Sequence, residues 1–207
     1  MNGARGFLIS VEGIDGTGKT TQVELLKAWF ERMGKSVVCL KEPTSGRYGS
    51  EIARLAATGG LSDVKKELEL FMLDRREDVK EHIEPALNEG RVVIMDRYYQ
   101  SNMAYQGARG LDPLLIKKEN EAFSPKPDLI IVLDIDPEKC MKRVNSRKNV
   151  VSHFENEAYL RDVRRIYLEI GKGPNAAIIE TDRPVRDVHE QIVEAIKNKL
   201  PQAIPEK

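Results

Sequence analysis

From Gly13 to Thr20 the chain reads Gly-Ile-Asp-Gly-Thr-Gly-Lys-Thr, a G-x-x-x-x-G-K-[ST] spacing whose chemistry is phosphate binding. Glycines let successive backbone N–H groups turn inward around phosphate oxygens, and the start of a following helix adds its positive end. Lys19 has the length to reach β- and γ-phosphates, and the Thr20 hydroxyl can ligate Mg²⁺. Gly13, Ile14, Asp15, Gly16, Thr17, Gly18, Lys19, Thr20 and the adjoining Thr21 are therefore candidate contacts for a nucleoside triphosphate. Asp15 stands out among them. A carboxylate beside polyphosphate is unfavourable unless it faces a cation or a hydroxyl, which points to a role with a second substrate; stabilising the turn is the other reading.

A second group lies at Asp96-Arg97-Tyr98, directly after the apolar run Arg91 to Asp96. At a strand end beside the phosphate loop, Asp96 can hold Mg²⁺ through water and Arg97 can project toward an anion. What is done with the triphosphate follows from what is missing. A guanine-reading Asn-Lys-x-Asp is absent, since Asn198-Lys199 is followed by Leu200 and Pro201. A mechanical or DNA-partitioning ATPase needs more chain or a basic face. A small-molecule kinase fits best, and a nucleotide-switched binding module is the non-enzymatic alternative.

The elements that must position these residues can be read from hydrophobic period. Phe7 to Glu12, Val37 to Lys41, Arg91 to Asp96, Asp128 to Asp134 and Ala176 to Glu180 are strand-length apolar runs. Helical patterns separate them: Thr20 to Met33 with Leu26, Trp29, Phe30 and Met33 on one face, Gly49 to Thr58, and a long helix from about Ser62 to Asn88. Further helices are expected near Pro113 to Phe123, from Pro137 to about Arg147, up to Ile170, and from Val185 to Lys199. Apolar strands alternating with helices predict an α/β fold, a parallel sheet covered on both faces with strand one central. Ligands then belong at the carboxyl ends of the strands.

The 207 residues suit one domain, with a tail at 201–207 expected to fray. Hydrophobic residues make up 41%, which argues against disorder, and 33 basic residues balance 33 acidic ones. That zero sum leaves no footprint for wholesale nucleic-acid binding, though it permits a local basic pocket. Apolar runs of strand length exclude a membrane span, and the start lacks an apolar targeting segment, so the chain is read as soluble and cytoplasmic. Cys39 and Cys140 show no metal spacing and are read as buried thiols.

The run Asp96-Arg97-Tyr98-Tyr99-Gln100-Ser101-Asn102-Met103-Ala104-Tyr105-Gln106, taken with Asp15 inside the phosphate loop, resembles thymidylate kinase, and the resemblance extends in order from Phe7 to about Leu168. It implies a P-loop NTPase fold of the nucleoside-monophosphate-kinase type with a five-stranded parallel sheet. It also implies ATP and Mg²⁺ as cofactors, dTMP as the acceptor phosphorylated to dTDP, and a homodimer. By resemblance Arg97 takes the dTMP phosphate, Asp15 the 3′-hydroxyl side of the sugar, and Tyr105 crowds the 2′ position. Asn102 and Gln106 are further polar candidates; a helix surface is the other reading. Phe71 and Arg75, four apart beside the core stripe Leu68, Met72, Val79 and Ile83, match the family's pair for stacking on thymine and donating to its carbonyl. Lys41-Glu42-Pro43 is similar to the family's Arg-Glu-Pro, with Lys41 in place of arginine; Arg47 and Tyr48 are alternative phosphate contacts.

Charge that spreads over a moving phosphoryl group needs a cation closing on it. The phosphate loop carries no arginine, so the resemblance implies a lid at about 145–154, with Arg147 for the transition-state charge and Arg143 for ATP. His153 stands where relatives carry an arginine. Lys19, Arg97, Arg147 and Asp15 thus form the expected catalytic set, with Thr20 and Asp96 at the metal.

Overall fold

The computed structural model describes residues 5–58, 63–140 and 157–204. Five strands, β1 (Phe7–Glu12), β2 (Val37–Lys41), β3 (Val92–Asp96), β4 (Leu129–Asp134) and β5 (Ala176–Glu180), form one sheet. All pair in parallel in the order β2-β3-β1-β4-β5, which puts β1 at the centre, as expected, with its residues from Leu8 to Glu12 all buried.

Side chains alternate strictly across the sheet. Ile9, Val11, Val92, Ile94, Leu129 and Ile131 face α1 (Lys19–Arg32) and the C-terminal helix Val185–Lys199, whose Leu26, Phe30, Ile192 and Ile196 are fully buried. Their neighbours Leu8, Val93 and Met95 face the other way. They pack on α3 (Val64–Asp78), α4 (Glu84–Asn88), α5 (Tyr99–Tyr105) and α6 (Pro113–Glu121). Ile130 and Val132 meet Leu160, Val163 and Tyr167 of α7 (Glu157–Gly171). The helix Val185–Lys199 is α8, and α2 spans Arg47–Thr58. Register aligns Asp96 with Val11 on one side and Lys41 on the other, so the strand ends that carry the motifs lie at one edge.

Three expectations need correction. The long helix starts at Val64, capped by the Asp63 side chain, and is not α-helical throughout: Val79–Ile83 is a π turn, closed by Glu84 N–H on the Val79 carbonyl. Pro85 is the cause, because it lacks an N–H and its ring displaces the carbonyl one turn back. The second helix begins two residues early, at Arg47, and leaves Gly49 against Thr44, where a Cβ would come within 2.0 Å of a backbone oxygen. The tail does not fray as far as Ile204. Pro201–Ala203 forms a 3₁₀ turn with Ala203 fully buried, because Leu200, Ala203 and Ile204 complete the core under α8. Residues 137–140 are helical as expected, but Arg143, Arg147, His153 and the lid lie outside the described residues.

Candidate active site

The phosphate loop runs from the end of β1 into α1. Gly13 has φ 138° and its α-carbon lies so close to β4 that a Cβ would meet the Leu133 carbonyl at 2.4 Å; no other residue fits. Gly18, at φ 90°, is the last residue before the helix. Lys19 folds back across the loop and donates to the carbonyls of Gly13 (3.0 Å) and Ile14 (2.9 Å). Burial, reinforced by nearby Arg97, pushes its ammonium down to about 8. An arriving polyphosphate favours the charged form and reverses that shift.

Thr20 Oγ1 donates to Asp96 Oδ2 at 2.6 Å, joining the first turn of α1 to the end of β3. A hydroxyl and a carboxylate, both hard oxygen donors, suit Mg²⁺, which takes one or two protein oxygens and fills its shell with phosphate and water. These two residues fit the ion that the sequence implies.

Arg97 occupies the crossing point. Its backbone is left-handed, φ 75°, a conformation costing on the order of 1–2 kcal/mol for a residue with a Cβ. The conformation is held by its N–H on the Val11 carbonyl (3.1 Å) and by the side chain's own partners. One guanidinium nitrogen donates to Ser101 Oγ (3.1 Å) and Tyr167 OH (3.3 Å), the other to Asp15 (2.5 Å) and Tyr105 OH (3.4 Å). Asp15 also stands 3.9 Å from Lys19, so one carboxylate links the phosphate loop to Arg97. That is the cation that the sequence argument required of it.

Every residue expected at the acceptor, namely Asp15, Phe71, Arg75, Arg97, Asn102, Tyr105 and Gln106, lines a single cavity of about 190 Å³ beside the loop. α3 supplies Phe71 and Arg75, and α5 with the residue after it supplies the rest of the far wall. Arg75 is only 1% exposed, held by a forked pair with Glu42 and by Asn120 Oδ1 at 2.6 Å. Burial pushes the Glu42 carboxyl up while Arg75 opposes the rise. Lys41, Arg47 and Tyr48 are not in the wall; Arg47 lies outside, over the Tyr48 ring and near Glu77.

Sequence reasoning missed Glu12. Fully buried at the end of β1, it accepts from Tyr98 N–H (2.8 Å), Ser101 Oγ (2.7 Å) and Tyr167 OH (3.3 Å), the last two of which also brace Arg97. The signal was a charge closing an otherwise apolar strand. Burial raises its carboxyl to about 7, against hydrogen bonds from Ser101 and the attraction of Arg97. An acid whose folded pKa lies above its unfolded one binds more protons when folded, so its stabilising contribution is complete below about 4.5 and is lost as pH rises through about 7. Glu12→Gln is expected to remove a component of the pH dependence on the order of a few kcal/mol between those values. Thermal unfolding of both proteins across that window is the check, and superimposable pH profiles would contradict the shift.

A parallel sheet with a phosphate loop after its central strand, and a cavity at the same edge lined by the residues expected at an acceptor, fits a P-loop kinase of the nucleoside-monophosphate type. The sequence model of the family described as thymidylate kinase matches residues 11–192, and the chain belongs to that family. A probable thymidylate kinase of Archaeoglobus fulgidus is 43% identical over 94% of this chain and 96% of its own length. One from Pyrococcus horikoshii is 41% identical over 95% and 98%. The crystal structure of thymidylate kinase from Ehrlichia chaffeensis superposes with a TM-score of 0.73 at 27% identity, covering 93% of this chain and 99% of the other.

Proposed function

We propose that this chain transfers the γ-phosphoryl group of ATP to dTMP, giving dTDP and ADP for dTTP synthesis, with Thr20 and Asp96 as the residues that would hold Mg²⁺. The observation that carries the reading is the direct link between the two sites: Arg97, in the acceptor wall, reaches Asp15 of the phosphate loop. A phosphate oxygen of the acceptor attacks Pγ, the bond from Pγ to the β-bridging oxygen breaks, and ADP leaves. An acceptor that is already an oxyanion needs positioning more than deprotonation, so no general base is required. Lys19 exchanges its loop carbonyls for phosphate oxygens, and Arg97 holds the acceptor phosphate. Mg²⁺, held by Thr20 and Asp96, would supply neutralisation of the polyphosphate charge. Arg143 and Arg147 complete the reading as the ATP contact and the transition-state cation.

On the acceptor side Phe71 stacks on the base, Arg75 donates to it, and Asn102 and Gln106 flank it. Tyr105 walls the sugar. Its ring is fixed edge-on between Tyr159 and Tyr167, with centroids 6.3 Å away in each case, which gives it little room to yield to an extra hydroxyl. Tyr105→Ala is expected to shrink the preference for dTMP over ribosylthymine monophosphate by about 10-fold. An unaltered ratio of kcat/KM values would remove the steric role.

A homodimer and a cytoplasmic location belong to the same proposal. Leu114 and Leu115 of α6 are 72% and 52% exposed, and Leu115 borders a depression whose floor of Leu68, Met72 and Leu73 is rimmed by charged residues such as Lys65, Glu69 and Arg76, a surface suited to a second copy. No helix among the described residues is long and apolar enough to cross a membrane. ADP release from ATP and Mg²⁺, with dTMP, dUMP, UMP, dCMP and AMP offered separately and a control without acceptor, tests the activity. Release led by dTMP is the expected outcome; acceptor-independent hydrolysis would favour a nucleotide switch instead.

A further inference from the structure

α3 contributes another charged group to the acceptor wall, one turn before Phe71. Glu67 is 12% exposed at its side chain and lines the cavity with Asn102 and Gln106. One of its oxygens accepts from Gln106 Nε2 at 3.0 Å; the other pairs with Arg109, in the 3₁₀ turn Gly107–Arg109. Gln106 Oε1 in turn accepts from Asn102 Nδ2 at 3.1 Å. Asn102 is 2% exposed, and its Oδ1 is buried without a partner in the protein.

The direction of this chain is fixed from one end. An ionised carboxylate can only accept, so Gln106 must turn its amino group to Glu67 and its oxygen to Asn102. Asn102 must then spend its amino group on that oxygen, and the atom left over is a carbonyl. Amide orientation is ordinarily ambiguous, but here charge dictates it twice in succession. A buried acceptor without a donor is a deficit that the right ligand can make good.

We propose that Glu67 is a specificity-determining positioning residue: through Gln106 it holds Asn102 with its oxygen available to the base, so that the cavity favours a pyrimidine with an N–H at ring position 3. Thymine has that N–H. Cytosine has a lone pair there, and two acceptors face each other. The inference rests on the dTMP reading of the cavity and concerns the imide edge, so it makes no distinction between dTMP and dUMP.

The test is the ratio of kcat/KM for dTMP to that for dCMP. Glu67→Gln keeps the shape but can present either an oxygen or an amino group, so it no longer enforces the direction; the ratio is expected to fall by about 10-fold or more. Gln106→Met, which cuts the chain at its middle, gives an independent variant with the same expected fall. Arg109→Ala removes the ion pair yet leaves the carboxylate, and the ratio should hold. Unchanged ratios in both Glu67→Gln and Gln106→Met would overturn the proposal, as would an equal fall in Arg109→Ala, which would mark Glu67 as a tether for the turn. A wild-type protein that does not turn over dTMP would refute the reading of the cavity itself, a failure visible before any variant is made.

Discussion

Arg97→Ala is expected to lower kcat/KM for dTMP by about 10²- to 10³-fold, the size typical of removing the hydrogen-bonded counter-charge of an anion taken out of water on binding. The side chain donates to Ser101, Tyr167, Asp15 and Tyr105, and sits at the junction of loop and cavity, so its loss takes away the acceptor's counter-charge and the alignment of four neighbours at once. The deficit should fall mainly on use of dTMP. Lys19 and the glycine loop remain in place for ATP, whose binding measured without acceptor should change little. Arg97→Lys should recover only part of the loss, because an ammonium cannot reproduce the fork that holds two partners on each side. Steady-state kinetics with dTMP as the varied substrate decide the matter, and an unchanged KM and kcat would remove Arg97 from the acceptor site.

For Lys19→Met the expected loss is in turnover, at about 10²- to 10³-fold in kcat, comparable with deleting one preorganised donor to a developing anion. The ammonium lies 3.0 and 2.9 Å from two loop carbonyls and is buried, so it is already aimed into the space a polyphosphate fills. Methionine preserves the packing of the stem and removes the charge. Single-turnover measurement at saturating ATP and dTMP separates this from weakened binding, and wild-type rates there would refute the assignment.

Local chemistry was the legible part of the sequence. The phosphate loop declares itself because its glycines, lysine and threonine are neighbours in the chain, and Phe71 and Arg75 reach one wall because four residues make one helical turn. What stayed hidden depended on partners distant in sequence. Arg75 is set by Glu42, 33 residues away, and by Asn120, 45 away; neither separation has a period to betray it. Glu12 closes an apolar strand, and only the packed helices around it reveal that its carboxylate braces Tyr98, Ser101 and Tyr167. Pattern also misjudged the end of the chain. Residues 201–207 read as a fraying tail, yet Ala203 has a place in the core that only tertiary contact defines.

The left-handed backbone at Arg97 sets two demands on one position. Glycine would relax the backbone but surrender the four hydrogen bonds that fix this junction, and the forked cation belongs to arginine alone. A glycine at 97 eases the backbone and gives up the grip on the acceptor phosphate in the same step, so the strain is kept for function. Engineering for robustness has to hold this residue constant and look for its gains behind the sheet, where Leu26 and Phe30 of α1 meet Ile192 and Ile196 of α8 in the core, beyond the turn that carries Lys19 and Thr20.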